Sequence, residues 1–243
     1  MFLALPLVGL VLRAPWSDLG SDLRSPVVVE ALRLSLATSS LAAILSVVLG
    51  LPLAWLLARI DFPGRTLVRG LTTLPLVLPP VVGGVALLLA LGRLGLVGRW
   101  LDSLFGLTLF GTTAGVVIAE TFVAMPFLVL SVEGGLRSMD ARFEDAAATL
   151  GGGPWHVFRR VTLPLVAPAL GAGAMLAWAR ALGEFGATIT FAGNLPGSTQ
   201  TVPLAVYAEL QREIGGAIAL SLILVVVSLA VLILLRDRWW PAA

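Results

Sequence analysis

Cysteine is absent from the 243 residues, lysine is absent too, and histidine occurs once, at His156. Without cysteine there is no disulfide, no thiolate nucleophile and no thiolate metal centre. A single histidine cannot build an imidazole-rich metal site, so no metal ligand is assigned. Charge is also scarce: charged residues make up 12% of the chain, where a soluble domain carries about 25%. Every one of the 16 basic residues is arginine and the net charge is only +2, which gives no nucleic-acid footprint. What fills the chain is apolar, with 58% hydrophobic residues and a mean hydropathy of +0.99. That composition belongs to the membrane class.

A spanning helix needs about 20 mainly apolar residues. Five runs qualify: Leu34 to Ala58, Val68 to Leu91, Gly111 to Leu130, Pro164 to Leu182, and Gly216 to Leu235. The opening MFLALPLVGLVLRAP is apolar for only 12 residues before Arg13. It lacks the basic n-region and the small-residue cleavage site of a signal peptide. It reads as a short first helix on the outside of the bundle. The expectation is an all-α polytopic membrane protein with five or six spans, forming one domain over residues 1–243. Arginine stays on the cytoplasmic side of a membrane. One face collects Arg59, Arg65, Arg69, Arg137, Arg142, Arg159, Arg160, Arg236 and Arg238; the other has Arg13, Arg24, Arg33, Arg93, Arg99 and Arg212. The bias puts the loop IDFPGR and the C-terminus in the cytoplasm. Trp239 and Trp240, after Arg236 and Arg238, suit an interfacial anchor.

One cytoplasmic stretch is too polar and too long for a simple turn. It is EDAAATLGGGPWHVFRRVTLP, Glu144 to Pro164, within a loop at about 137–163. Asp140 can cap a helix whose first turn holds Glu144 and Asp145, where negative charge suits the helix dipole. Ala146, Ala147 and Ala148 favour helix. Gly151 to Gly153 stop it, and Pro154 suits the start of a second short helix, about Trp155 to Val161. Two helices joined at a glycine elbow make a knob for docking on another protein. The competing reading is an amphipathic loop lying on the lipid surface. His156 is a surface residue under either reading.

The residues of this knob carry a resemblance. Asp145-Ala146-Ala147, Gly151, Val161 and Leu163-Pro164 resemble, in identity and spacing, the signature of integral-membrane permeases of ABC importers. Asp145 stands where that signature has Glu, with Glu144 beside it, and Val161 stands where it has Ile. The resemblance implies a type I ABC importer permease fold and a knob gripped by a cytoplasmic ATPase. It extends from about Pro26 to the C-terminus. DFPGR, LPLVLPPVVGG and ARALGEFGATITFAGNLPGSTQTVPLAVY resemble the molybdate and tungstate subgroup. Sulfate and thiosulfate permeases share a related EFGA segment. What the family implies further is a homodimer, two ATPase subunits that bind ATP and Mg, an extracytoplasmic oxyanion-binding protein, and alternating access in a cytoplasmic membrane. The chain has no GxxxxGK[ST] phosphate loop, so no cofactor is assigned to it and it is read as a permease, not an enzyme.

Pro79, Pro80 and Gly83, in LPLVLPPVVGG, are candidates for lining a path. Proline frees a carbonyl, and inside a membrane such breaks persist only where neighbours or a wet cavity satisfy the backbone. A packing kink is the alternative. Met125 and Pro126 read in the same two ways. Arg180 and Glu184 lie four residues apart near the outer end of their span. Ionisable residues at such depth face the bundle interior and pair. They are gate candidates with Gly186 and Thr188, or else a static ion pair. Thr190, Asn194, Ser198, Thr199, Gln200 and Thr201 form an outer polar segment, able to hydrogen-bond a tetrahedral oxyanion or merely solvated. AGNLPG within it is turn chemistry. Glu120 is buried and hydrogen-bonded, or lines the path. Two other classes find no support. An ion-coupled secondary transporter would carry inverted repeats and midplane ion ligands, and a membrane enzyme would carry a catalytic constellation.

Overall fold

The computed structural model describes residues 2, 4–17, 20 and 24–239, and among these the ordered elements are all helical. In chain order they are α1 (Leu5–Leu12), α2 (Pro26–Arg59), α3 (Arg65–Val77), α4 (Pro80–Leu91), α5 (Gly98–Phe105) and α6 (Thr113–Ser138). Then come α7 (Arg142–Thr149), α8 (Pro154–Leu182), α9 (Gly186–Phe191), α10 (Val202–Leu210) and α11 (Ile214–Trp239). Four of these, α2, α6, α8 and α11, are long and apolar enough to cross a membrane.

The run Val68 to Leu91 is not one helix. It divides into α3 and α4, with Leu78 and Pro79 extended between them at ψ 134° and 132°. The cause is the Pro79-Pro80 pair: each of Leu78 and Pro79 precedes a proline, which pushes it out of the helical region. Pro80 then starts α4, where its missing N–H costs nothing. α1 is 8 residues, all of its described residues exposed or half-buried. At 1.5 Å per residue it is about 12 Å long, too short to span alone, and it rests against α11. Trp239 closes α11, while Trp240 lies outside the described residues.

α2 opens on Ser25, whose hydroxyl accepts the Val28 amide at 3.4 Å, with Pro26 at the first helical position. Both choices suit a helix start. α6 opens the same way on Thr112, which accepts from Gly115 N at 3.1 Å. α6 is the most buried of the spanning helices, and α2 and α8 pack along it. The contact face of α2 is a stripe of small residues: Ser35, Thr38, Ser39, Ala42, Ser46, Gly50 and Ala54. In lipid, burying an apolar side chain gains little over leaving it in hydrocarbon, so close approach through small residues does the packing. A Cβ on Gly50 would sit 2.7 Å from Leu128 Cδ2, and one on Gly173 of α8 would sit 2.9 Å from Ser131 Cβ. Gly50→Leu is therefore expected to destabilise the chain by about 1–3 kcal/mol. Gly134→Leu on α6, where nothing lies within 4 Å, should be near neutral. Thermal unfolding of both variants in detergent checks the contrast.

The connectivity separates two ends. Arg59, Glu144 and Thr162 meet at one end. At the other, Gly197 lies beside Glu30, and Thr113 Oγ1 donates to Ser198 O at 3.0 Å. The first end carries Arg59, Arg65, Arg69, Arg137, Arg142, Arg159 and Arg160, and the positive-inside rule assigns such an end to the cytoplasm.

Candidate functional site

At the cytoplasmic end the chain builds the knob that its sequence predicts, with one difference in its second arm. Asp140 Oδ1 accepts the Arg142 amide at 2.9 Å and holds the start of α7. Gly151, at φ 89°, ends it in the left-handed conformation. Gly151 N–H donates to Ala148 O and Gly152 N–H to Ala147 O, both at 3.0 Å. That pair of bonds is a Schellman cap, which satisfies carbonyls the helix would leave open. Pro154 starts the next helix directly. The second arm is not a separate helix from Trp155 to Val161. It runs on through one π turn, Phe158–Thr162, into the span that ends at Leu182. No breaker lies between Val161 and Leu163. Pro164 would clash with a carbonyl one regular turn back, and the wider π turn just before it accommodates the ring.

The knob presents apolar surface to water. Leu150 is 89% exposed, and Phe143 and Trp155 are exposed as well. Trp155 stacks on Phe158 with ring centroids 5.7 Å apart. Asp145, Ala146, Gly151 and Pro164 are exposed; Ala147, Val161 and Leu163 are half-buried; His156 is exposed, as expected. The two acids of the first turn differ. Asp145 points outward, whereas Glu144 is held inside the chain. Glu144 Oε2 pairs with Arg59 Nη2 at 3.0 Å, and Glu144 Oε1 accepts from Thr162 Oγ1 at 2.6 Å.

A second ionic cluster lies beside it and was not singled out from the sequence. Glu133 on α6 is buried, accepts from Arg69 Nη2 at 2.6 Å and forms an ion pair with Arg137 at 2.9 Å. Arg65 and Arg69 both donate to Leu57 O, from Nε at 2.9 Å and Nη2 at 3.3 Å. Leu57 lies in the last turn of α2, where cations complement open carbonyls. The i,i+4 spacing of Glu133 and Arg137 was a usable signal. The partner in Arg69, 64 residues away, was not.

Toward the outer end, α4 and α9 pack tightly on each other. A Cβ on Gly186 would meet Pro80 Cβ at 2.9 Å, and one on Gly84 would meet the Ala187 carbonyl at 2.8 Å. Gly83 lies against Phe122 of α6, 2.9 Å from where its Cβ would be. Gly83 and Gly186 thus serve helix contact, while Pro79 and Pro80 stay exposed on the surface of the chain. Pro126 is buried within an unbroken α6, and Met125 packs toward Gly50.

Glu184 is 1% exposed, just beyond the end of α8. Its Oε2 pairs with Arg180 Nη1 at 2.5 Å and its Oε1 accepts the Ala187 amide at 2.8 Å. One carboxylate thus joins the end of α8 to the start of α9. Thr188 is fully buried, and Glu120 is buried with Oε1 accepting from Thr38 at 3.0 Å. The outer polar segment is an ordered turn more than a solvated loop. Gly193 and Gly197 have φ 86° and 78°, and Thr199 Oγ1 accepts the Leu195 amide at 2.8 Å. Thr199 and Thr201 are buried, Thr190 donates to its own helix at Gly186 O, and Asn194, Ser198 and Gln200 are half-buried.

The sequence and the fold have known relatives. Residues 46–238 match the model of a family described as the binding-protein-dependent transport system inner membrane component. Over 235 residues the chain is 48% identical to the molybdenum transport system permease protein ModB of Mycobacterium tuberculosis, covering 96% of this chain and 88% of that one. It is 36% identical over 236 residues to the sulfate transport system permease protein CysT of Escherichia coli, covering 96% and 85%. Its structure matches the crystal structure of a bacterial ABC transporter that imports alginate, with a TM-score of 0.79 at 18% identity, covering 98% of this chain and 90% of that one. The fold is that of an ABC importer permease, and the chain belongs to the family of inner-membrane components of binding-protein-dependent transport systems.

Proposed function

We propose that this chain is the permease of an ATP-driven importer of molybdate. The observation that carries the substrate is the 48% identity to a molybdenum permease over 96% of this chain. Identity to a sulfate permease over the same extent is 36%, and that likeness supports the second reading, sulfate or thiosulfate. Tungstate has the shape and charge of molybdate and enters the proposal with it.

Two copies form the path, because one chain supplies one knob and the motor has two ATPase subunits. The exposed Phe143, Leu150 and Trp155, with Asp145 and Ala146, form the docking surface for each ATPase. ATP and Mg bind there, on the partner. A binding protein outside delivers the oxyanion. ATP binding draws the knobs together and opens the path outward; hydrolysis resets it. Pro79 and Pro80 line the path, and the Arg180–Glu184 pair with Gly186 and Thr188 forms the outer gate. Since Glu184 neutralises Arg180, the gate passes an oxyanion without trapping it.

Uptake of labelled molybdate in cells lacking the gene, and complemented with it, tests this reading. The expected result is gene-dependent uptake that tungstate blocks and excess sulfate does not. Block by sulfate would move the substrate to the second reading and leave the fold unchanged.

A further inference from the structure

The proposed function has a partner grip the outer surface of the knob. Its inner surface raises a different question. A grip moves a span only if the knob is fastened to that span. α7 is 8 residues long, none of them buried, so apolar packing cannot fasten it. The glycine elbow at Gly151–Gly153 is a compliant link to α8. On its other side, α7 joins α6 through only Met139, Asp140 and Ala141.

The fastening is polar and centres on Glu144. Its two oxygens reach two different spans. Oε2 forms an ion pair with Arg59 Nη2 at 3.0 Å, on the last residue of α2. Oε1 takes the Thr162 hydroxyl at 2.6 Å, from the end of the π turn of α8. Thr162 is 2% exposed, and the Arg59 and Glu144 side chains are each about one-fifth exposed. Water is largely kept from the junction, and a pair so shielded resists salt screening better than a surface pair. We infer that Glu144 is the positioning residue of the coupling element, a carboxylate clamp that locks α7 to α2 through Arg59 and to α8 through Thr162. Its neighbour Asp145 makes neither contact. The adjacent acids therefore divide the work: Asp145 faces the partner and Glu144 faces the chain.

This rests on the proposed coupling to an ATPase, so the test has one arm that does not. The absence of cysteine makes the full chain ready for paired spin labels. Ile60→Cys at the end of α2 and Ala148→Cys on α7 report the distance across the junction. In the full chain, both alone in detergent and with the ATPase subunits, the parent distribution is expected to be narrow. Glu144→Gln and Arg59→Gln should each broaden it. The exchange of charges, Arg59→Glu with Glu144→Arg, should narrow it again. In the second arm, molybdate taken up per ATP hydrolysed should fall roughly tenfold in each single variant, a coupling loss of ordinary size, and recover in the exchange. The ATPase should stay bound throughout, because the docking surface is untouched. A distribution as narrow in Glu144→Gln as in the parent would overturn the clamp. So would an exchange variant no narrower than the singles. If the parent takes up no molybdate, the substrate assignment fails while the distance arm still decides the clamp.

Discussion

Asp in place of Gly151 is expected to abolish uptake while the chain still folds and inserts. Gly151 has φ 89°, and no atom lies within 4 Å of where its Cβ would be. The backbone conformation costs an L-residue roughly 1–2 kcal/mol, and Asp is among the residues that visit it most readily. The internal cost is therefore modest. The external cost is not. The side chain would project from the elbow, with its charge, into open space that the proposed function gives to the ATPase. Losing one interface hot spot of about 2 kcal/mol lowers binding about 30-fold. Uptake should fall by at least that factor, with the ATPase lost on co-purification. Gly151→Ala separates the two causes: it brings the backbone strain with little bulk and should retain most uptake. Equal loss in both variants would mean that the elbow's backbone matters, not its surface.

The second large effect concerns stability. Arg180→Leu should destabilise the chain by about 3–5 kcal/mol, the cost of leaving a buried charge unpaired. Glu184 would be left 1% exposed with only the Ala187 amide to oppose its charge. Glu184→Gln should cost less. It leaves Arg180 behind, whose side chain is 28% exposed and can reach toward water. The amide also keeps an oxygen for the Ala187 N–H. Combining both substitutions should recover most of the loss from Arg180→Leu. Thermal unfolding in detergent reads all three. Equal losses in the two single variants would show that the surroundings of the pair, not its buried member, set the cost.

Much of this architecture was legible because membrane constraints are local. A run of apolar residues, an arginine bias and a glycine elbow each state their meaning within a few residues. The division at Leu78–Pro79 was missed, although two consecutive residues each precede a proline. A count of apolar residues conceals it, because proline does not interrupt hydropathy. What sequence could not supply were the long-range polar partners. Glu144 and Asp145 are adjacent acids in one helical turn, and spacing alone favours the second as the signature acid. Only the fold brings Arg59, 85 residues earlier, to Glu144. Thr199 and Thr201 read as solvated for the same reason. Thr199 and Thr201 are buried, and Thr199 accepts the Leu195 amide from the turn between Gly193 and Gly197. The contacts of Gly83 with Phe122 and of Gly186 with Pro80 and Val81 also join elements far apart in sequence and were not legible from it.

The continuity of α8 has a mechanical meaning. Its 29 residues extend about 43 Å at 1.5 Å each. Trp155 sits near its inner tip and Arg180 near its outer tip. Under the proposed alternating access, a helix of this length works as a seesaw beam, with α6 as the fulcrum along its middle, where Gly135 and Gly173 bring the two axes close. A shift of a few ångströms at the cytoplasmic tip then appears at the far tip with opposite sign. On that proposal, closing at one face of the membrane and opening at the other are a single rotation, with no signal to relay between them.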